Sequence, residues 1–108
     1  MTSGEKQGGI NWFRIERLVR PTIAQRLRMV EEALEGHSHG APTRMARRLG
    51  IGVSRWDNVK SGRGLSMQMQ IILLTRIPGL SADWLLLGRP DGLSYEMAQL
   101  LGIFNKVH

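Results

Sequence analysis

Arg55 and Asn58 stand three residues apart in "SRWDNVK", the separation that puts two side chains on one face of a helix. Both end in planar groups with several hydrogen-bonding positions. An arginine fork donates to guanine O6 and N7 together, an asparagine amide pairs with adenine N6 and N7, and each such pair discriminates by about 1–3 kcal/mol. The plainer roles are a phosphate contact for Arg55 and a capping or water contact for Asn58. Ser54 offers a hydroxyl to a base or a phosphate. Val53 fits either a thymine methyl or the apolar core. Asp57 accepts from cytosine N4 or pairs with a neighbouring cation, and its charge repels phosphate. Val53, Ser54, Arg55, Asp57 and Asn58 are the candidate base contacts.

Positive charge surrounds this group. Residues 44 to 64 hold Arg44, Arg47, Arg48, Arg55, Lys60 and Arg63 against the single acid Asp57, so six minus one gives +5 of the chain's formal +6. Charge gathered on one short unit suits a polyanion, although a solvated basic face has the same composition. Arg44, Arg47, Lys60 and Arg63 are the expected phosphate contacts, which position a protein on a duplex without choosing sequence.

Other chemistries lack their residues. There is no cysteine, which excludes disulfides and thiolate-bound zinc. His37 and His39 form an H-x-H, but the only further histidine is His108, and a metal needs three or four ligands, so no metal is expected. No glycine-rich phosphate loop follows a strand and no nucleophile–base set is recognisable, so neither an enzyme, a cofactor nor a small-molecule ligand is expected. Trp56 and Trp84 fall on apolar spines and read as core rather than as stacking platforms. Met45, Met67, Met69 and Met97 read as core filler. The longest apolar runs, Ile71 to Leu74 and Leu85 to Leu87, are too short to span a bilayer, and "MTSGEKQGG" lacks a signal-peptide core. A cytoplasmic protein with no membrane association is the expectation.

The elements that position Arg55 and Asn58 follow from the apolar period. At 108 residues and 42% hydrophobic, the chain suits one small domain. Residues 10 to 20 allow a short helix that Pro21 ends. Trp12 and Phe13 there fit docking on the core, dimerisation or an arm. Thr22 and Gln25 match a capping box, and Ile23, Leu27, Val30 and Leu34 follow at spacings of 4, 3 and 4, with Arg26, Arg28, Glu31, Glu32 and Glu35 assigned to the other sides. Gly36 stops this helix. Pro42 suits the first position of a second helix, whose inner residues are Met45, Ala46 and Leu49. Gly50 supplies a left-handed cap, Ile51 plugs the corner, and Gly52 begins a third helix with Trp56 and Val59 inward. Ser66 caps a fourth helix over 67–77, apolar nearly all round and therefore central or partly an interface. Ser81 caps a short fifth helix with Asp83 in its first turn, and Gly88 ends it. Ser94 opens a sixth helix with Met97, Leu101 and Phe104 inward. No strand pattern or repeat occurs, which predicts an all-α protein.

Two short helices joined at a glycine turn make a helix-turn-helix. Ala46 is small enough for a close crossing. Ala46, Leu49, Gly50, Ile51, Trp56 and Val59 together resemble the Cro/lambda-repressor (Xre-type) helix-turn-helix family, and Gly62 matches the glycine that commonly follows its recognition helix. Downstream, "IPGLSADWLLLGRPDG" is similar to an ending common in small bacterial members. The family's frequent Gln at the start of the first motif helix is Pro42 here. Its frequent Asn before the glycine is Ser61, and "GHSHGA" replaces its usual short link.

The resemblance covers about residues 22 to 92. It implies a five- or six-helix lambda-repressor-like bundle, preceded by a flexible segment with a possible short helix over 1–21 and followed by a C-terminal helix or tail over 93–108. It further implies sequence-specific binding of double-stranded DNA by a bacterial or phage-type transcriptional regulator. A homodimer would set two recognition helices about one DNA turn apart, through the fourth helix or the tail. The alternative is a protein-interaction module on the same scaffold, an antitoxin or adaptor, in which the basic face is incidental.

Overall fold

The computed structural model describes residues 22–103. The expectations over 1–21, including Trp12 and Phe13, and those for Phe104 and His108 lie outside the described residues. Within them the chain is all-helical, with six α-helices and no strand: α1 (Ile23–Glu35), α2 (Ala41–Leu49), α3 (Val53–Lys60), α4 (Met67–Arg76), α5 (Ala82–Leu87) and α6 (Tyr95–Leu100), with a 3₁₀ turn at Pro90–Gly92. No described helix is long and apolar enough to cross a membrane.

Side-chain caps set most starts. Gln25 N–H donates to Thr22 Oγ1 at 3.1 Å while Thr22 N–H donates to Gln25 Oε1 at 2.8 Å, the reciprocal pair expected from the sequence. Ser66, Ser81 and Ser94 accept from the N–H of Met69, Trp84 and Met97 at 3.1, 3.1 and 3.0 Å. α2 begins one residue earlier than expected, at Ala41, so Pro42 is its second residue. The amide at that position has no intrahelical partner, so the missing N–H costs nothing there. Gly50 ends α2 at φ 74°, ψ 29°, a left-handed conformation that only glycine adopts cheaply. Its N–H donates to the carbonyls of Ala46 and Arg47.

One hydrophobic core runs through all six helices. Leu27 and Val30 of α1 meet Met45 and Leu49 of α2, Trp56 and Val59 of α3, Met69 and Leu73 of α4, Trp84 and Leu85 of α5, and Met97 of α6. Residues 93–103 therefore belong to the same packed body, since Leu101 also joins the core and Leu93 and Ile103 pack on it. α4 is less central than its composition suggests. Met69 and Leu73 are buried, but Met67 and Ile71, one turn apart, are 72% and 57% exposed.

Two assignments on α1 are corrected. Arg26 and Glu31, expected on its solvent sides, are buried at 5% and 8% exposure. Arg26 Nε donates to the carbonyl of Leu85 at 2.8 Å and Nη2 to that of Leu86 at 3.2 Å, so its guanidinium closes the C-terminal turn of α5. Burial pulls its pKa down from the usual arginine value, and the carbonyls compensate the lost water.

Candidate nucleic-acid interface

The bend comes first. After Gly50, Ile51 N–H donates to Ala46 O at 3.0 Å, fastening the corner to the last turns of α2. Ala46, 2% exposed, leaves the space in which α2 and α3 cross. Gly52 precedes α3 in an extended conformation with no side-chain cap, which leaves the leading N–H groups of α3 without an intrahelical partner.

α3 has two unlike sides. Trp56 and Val59 are fully buried. Val53, Ser54, Arg55, Asp57 and Asn58 are all exposed, Val53 at 39%. The five candidate base contacts are thus brought together on the outward side of one two-turn helix, and Val53 is not core.

What holds α3 from behind is a polar contact absent from the sequence reading. The Glu31 carboxylate, reaching from α1, accepts from the Trp56 indole N–H at 2.6 Å and from Lys60 Nζ at 2.9 Å, both at Oε1. Lys60 also sits 5.8 Å from the centroid of the Trp56 ring and 3.6 Å from Asp57 Oδ1. Its side chain is only 14% exposed. A buried carboxylate that engages Trp56 and Lys60, one turn apart on α3, fixes the roll of the helix about its axis. The signal for Glu31 was present: positions 23, 26, 27, 30, 31 and 34 form the i, i+3, i+4, i+7, i+8, i+11 face of a buried helix. Period places Arg26 and Glu31 inside, whereas residue type places them outside.

The cations divide into two groups. Lys60 is committed to Glu31 and Asp57. Arg44 donates from Nε to Glu35 Oε1 at 3.2 Å, and from Nη2 to Glu35 O at 2.9 Å and Ser38 Oγ at 2.7 Å. Arg48 Nη2 meets Glu35 Oε2 at 2.7 Å. Glu35, its side chain 12% exposed, is held below the usual carboxylate range chiefly by the Arg48 hydrogen bond, against an opposing desolvation, with Arg44 adding to the effect. These contacts seal the end of α1 to α2. In contrast, Arg47 and Arg63 are exposed and have no ion pair or side-chain hydrogen bond among the described residues. Arg55 is exposed and makes one side-chain bond, from Nη2 to Gln68 Oε1 at 3.4 Å.

Asp57 takes the local partner weighed for it, Lys60. His37 Nδ1 lies 3.6 Å from Glu32 Oε2, with both side chains exposed; such a surface pair contributes little. Among the described residues no three of His, Cys, Asp and Glu come together as a metal site. No family model matches the chain, and no curated protein or solved structure matches it either.

Proposed function

We propose that this protein binds double-stranded DNA in a sequence-dependent way, on a lambda-repressor-like scaffold, and acts as a cytoplasmic transcriptional regulator of bacterial or phage type. The observation that carries the reading is the outward side of α3. It is a short rod with Arg55 and Asn58 exposed on one side and Trp56, Val59 and the Glu31 contact behind. A helix of this diameter fits the major groove. Arg55 and Asn58 read bases, with Val53 and Ser54 beside them and Asp57 at the margin. Arg47 and Arg63 hold phosphates. Arg44 and Lys60, expected as clamps from their positions, must first give up Glu35 and Glu31, so their charge contributes less. Bound protein regulates by occupying its site, and a homodimer sets two α3 helices on adjacent turns of a near-palindrome.

Two to three available cations per protomer imply a slope of about −2 to −3 per protomer for log K against log salt. Replacing Arg47 or Arg63 by Ala removes about 0.9 from that slope, and Lys60→Ala removes less. Binding-site selection with the wild type and Arg55→Ala then separates base reading from backbone holding. Equal weakening on every duplex would reassign Arg55 to phosphate. Absence of duplex binding at low salt would refute the proposal and favour the second reading, a protein-interaction module, for which exposed Met67 and Ile71 provide an apolar stripe on α4.

A further inference from the structure

The two side chains proposed to read bases are not equally free. Arg55 touches the first turn of α4, and Asn58 touches the connector that leads into it. Gln68, in the first turn of α4, accepts from Arg55 Nη2 at 3.4 Å. Asn58 Nδ2 lies 2.9 Å from where a Cβ on Gly64 would stand, and Val59 Cγ2 lies 3.3 Å from it. The Asn58 amide therefore occupies space that exists only because residue 64 has no side chain.

The connector is itself anchored. Gly62 turns at φ 89°, and a Cβ there would lie 3.7 Å from the Ala24 methyl of α1. Ser61 Oγ donates to Asn58 O at 2.6 Å. Leu65 packs on the core, and Ser66 caps α4. Gln68 thus projects from fixed backbone, whereas Arg55 has a long chain with many rotamers. Gln68 has one acceptor oxygen on the guanidinium, and that contact uses a single N–H. Four of the five N–H groups remain, enough for the two-pronged contact with guanine.

Resting on the DNA-binding reading above, we propose that Gln68 is a positioning residue that presets the Arg55 guanidinium, so that the 61–66 connector with the first turn of α4, and not α3 alone, sets base specificity. Holding one rotamer-rich side chain in its bound arrangement corresponds to about 3- to 10-fold in affinity. That gain appears only where Arg55 meets its preferred base.

The test uses the full chain and synthetic duplexes chosen by selection from a random pool. Gln68→Ala should lower discrimination at the Arg55-dependent base pair by about 3- to 10-fold, with the salt slope and thermal midpoint unchanged. In an Arg55→Ala background it should change nothing further. Without DNA, ¹⁵N relaxation of Arg55 Nε should show a more mobile side chain in Gln68→Ala than in the wild type. Gly64→Ala, which crowds Asn58, should shift preference at a different base pair. Unchanged discrimination in Gln68→Ala, an equal loss in the Arg55→Ala background, or unaltered Arg55 mobility would overturn the proposal. A lower salt slope would overturn it too, by making Gln68 a backbone contact. A wild-type protein that binds no duplex fails at the earlier stage, and this separates failure of the DNA reading from failure of the Gln68 assignment.

Discussion

A mutant cycle between Glu31 and Lys60 measures the charge contact behind α3. The Glu31 side chain is 11% exposed and that of Lys60 14%, so the pair, at 2.9 Å, is largely out of water. Removing one partner of a buried pair costs about 3–5 kcal/mol, because the other charge is left without compensation. Glu31→Gln preserves an acceptor for the Trp56 indole, 2.6 Å away, and strands only Lys60. The ammonium retains Asp57 at 3.6 Å and the face of the Trp56 ring. The expected loss therefore falls below that range, at about 1.5–3 kcal/mol, the worth of a hydrogen bond to a charged group. Glu31→Ala removes the indole's acceptor as well and should reach about 3–5 kcal/mol. For a domain of this size each kcal/mol lowers Tm by about 4–8 °C. Lys60→Met keeps the aliphatic stem against Trp56 and releases Glu31 from its cation. Glu31→Gln with Lys60→Met removes both charges and should recover much of the loss, giving a coupling of about 1–3 kcal/mol. The assay is urea unfolding of the four proteins, read by circular dichroism. Additivity within about 0.5 kcal/mol would refute the assignment, showing that Glu31 and Lys60 do not interact in solution.

Two further outcomes follow from the backbone and from Glu35. Gly36 and Gly79 both have positive φ, 82° and 89°. An added Cβ meets nothing within 4 Å at Gly36, whereas at Gly79 it meets the Ser94 hydroxyl and, at 3.1 Å, Met97 Cβ. Gly36, at ψ −163°, is in a region that essentially only glycine adopts, so Gly36→Ala should cost about 1–3 kcal/mol from backbone strain alone and Gly79→Ala clearly more; equal losses in chemical denaturation would contradict the packing of α6 on that turn. The Glu35 pKa is lowered by Arg48 and Arg44, so its contribution is complete above the unfolded carboxylate value of about 4.3 and is lost as pH falls through the lower folded value. Wild type should therefore lose more stability than Glu35→Gln on acidification below about pH 4.3, and parallel pH–stability curves would show that the Arg48 contact contributes nothing.

Apolar period and cap chemistry made the helices readable. Thr22–Gln25, Ser66, Ser81 and Ser94 mark helix starts by hydrogen bonds that act within three residues, and Gly50 marks an end by a conformation that one residue type prefers. The outward side of α3 was legible for the same reason, since burying Trp56 and Val59 turns Arg55 and Asn58 outward. Long-range charge pairing was not legible. Lys60 looks like any cation at a helix end until Glu31, 29 positions earlier, is folded against it. Arg44 and Arg48 look like a basic face until Glu35 takes both. Formal charge therefore counted six cations where the structure leaves Arg47, Arg55 and Arg63 outward. Gln68 was missed because its interest arises solely from proximity to Arg55.

The bond from Arg26 to the carbonyls of Leu85 and Leu86 joins the first turn of one helix to the last turn of another, about sixty residues away. Synthesis proceeds from the amino end, so the bend and both of its helices leave the ribosome well before their founding helix can be closed. Until Leu85 and Leu86 emerge, the two α5 carbonyls that Arg26 bonds are not yet in place, and Leu27 lacks the Trp84–Leu85 side of its packing. The helix that carries Arg55 and Asn58 is consequently complete in sequence before the contact that ties α1 to α5 can form. Closure of the first helix is timed by a short hydrophobic helix near the far end of the described chain.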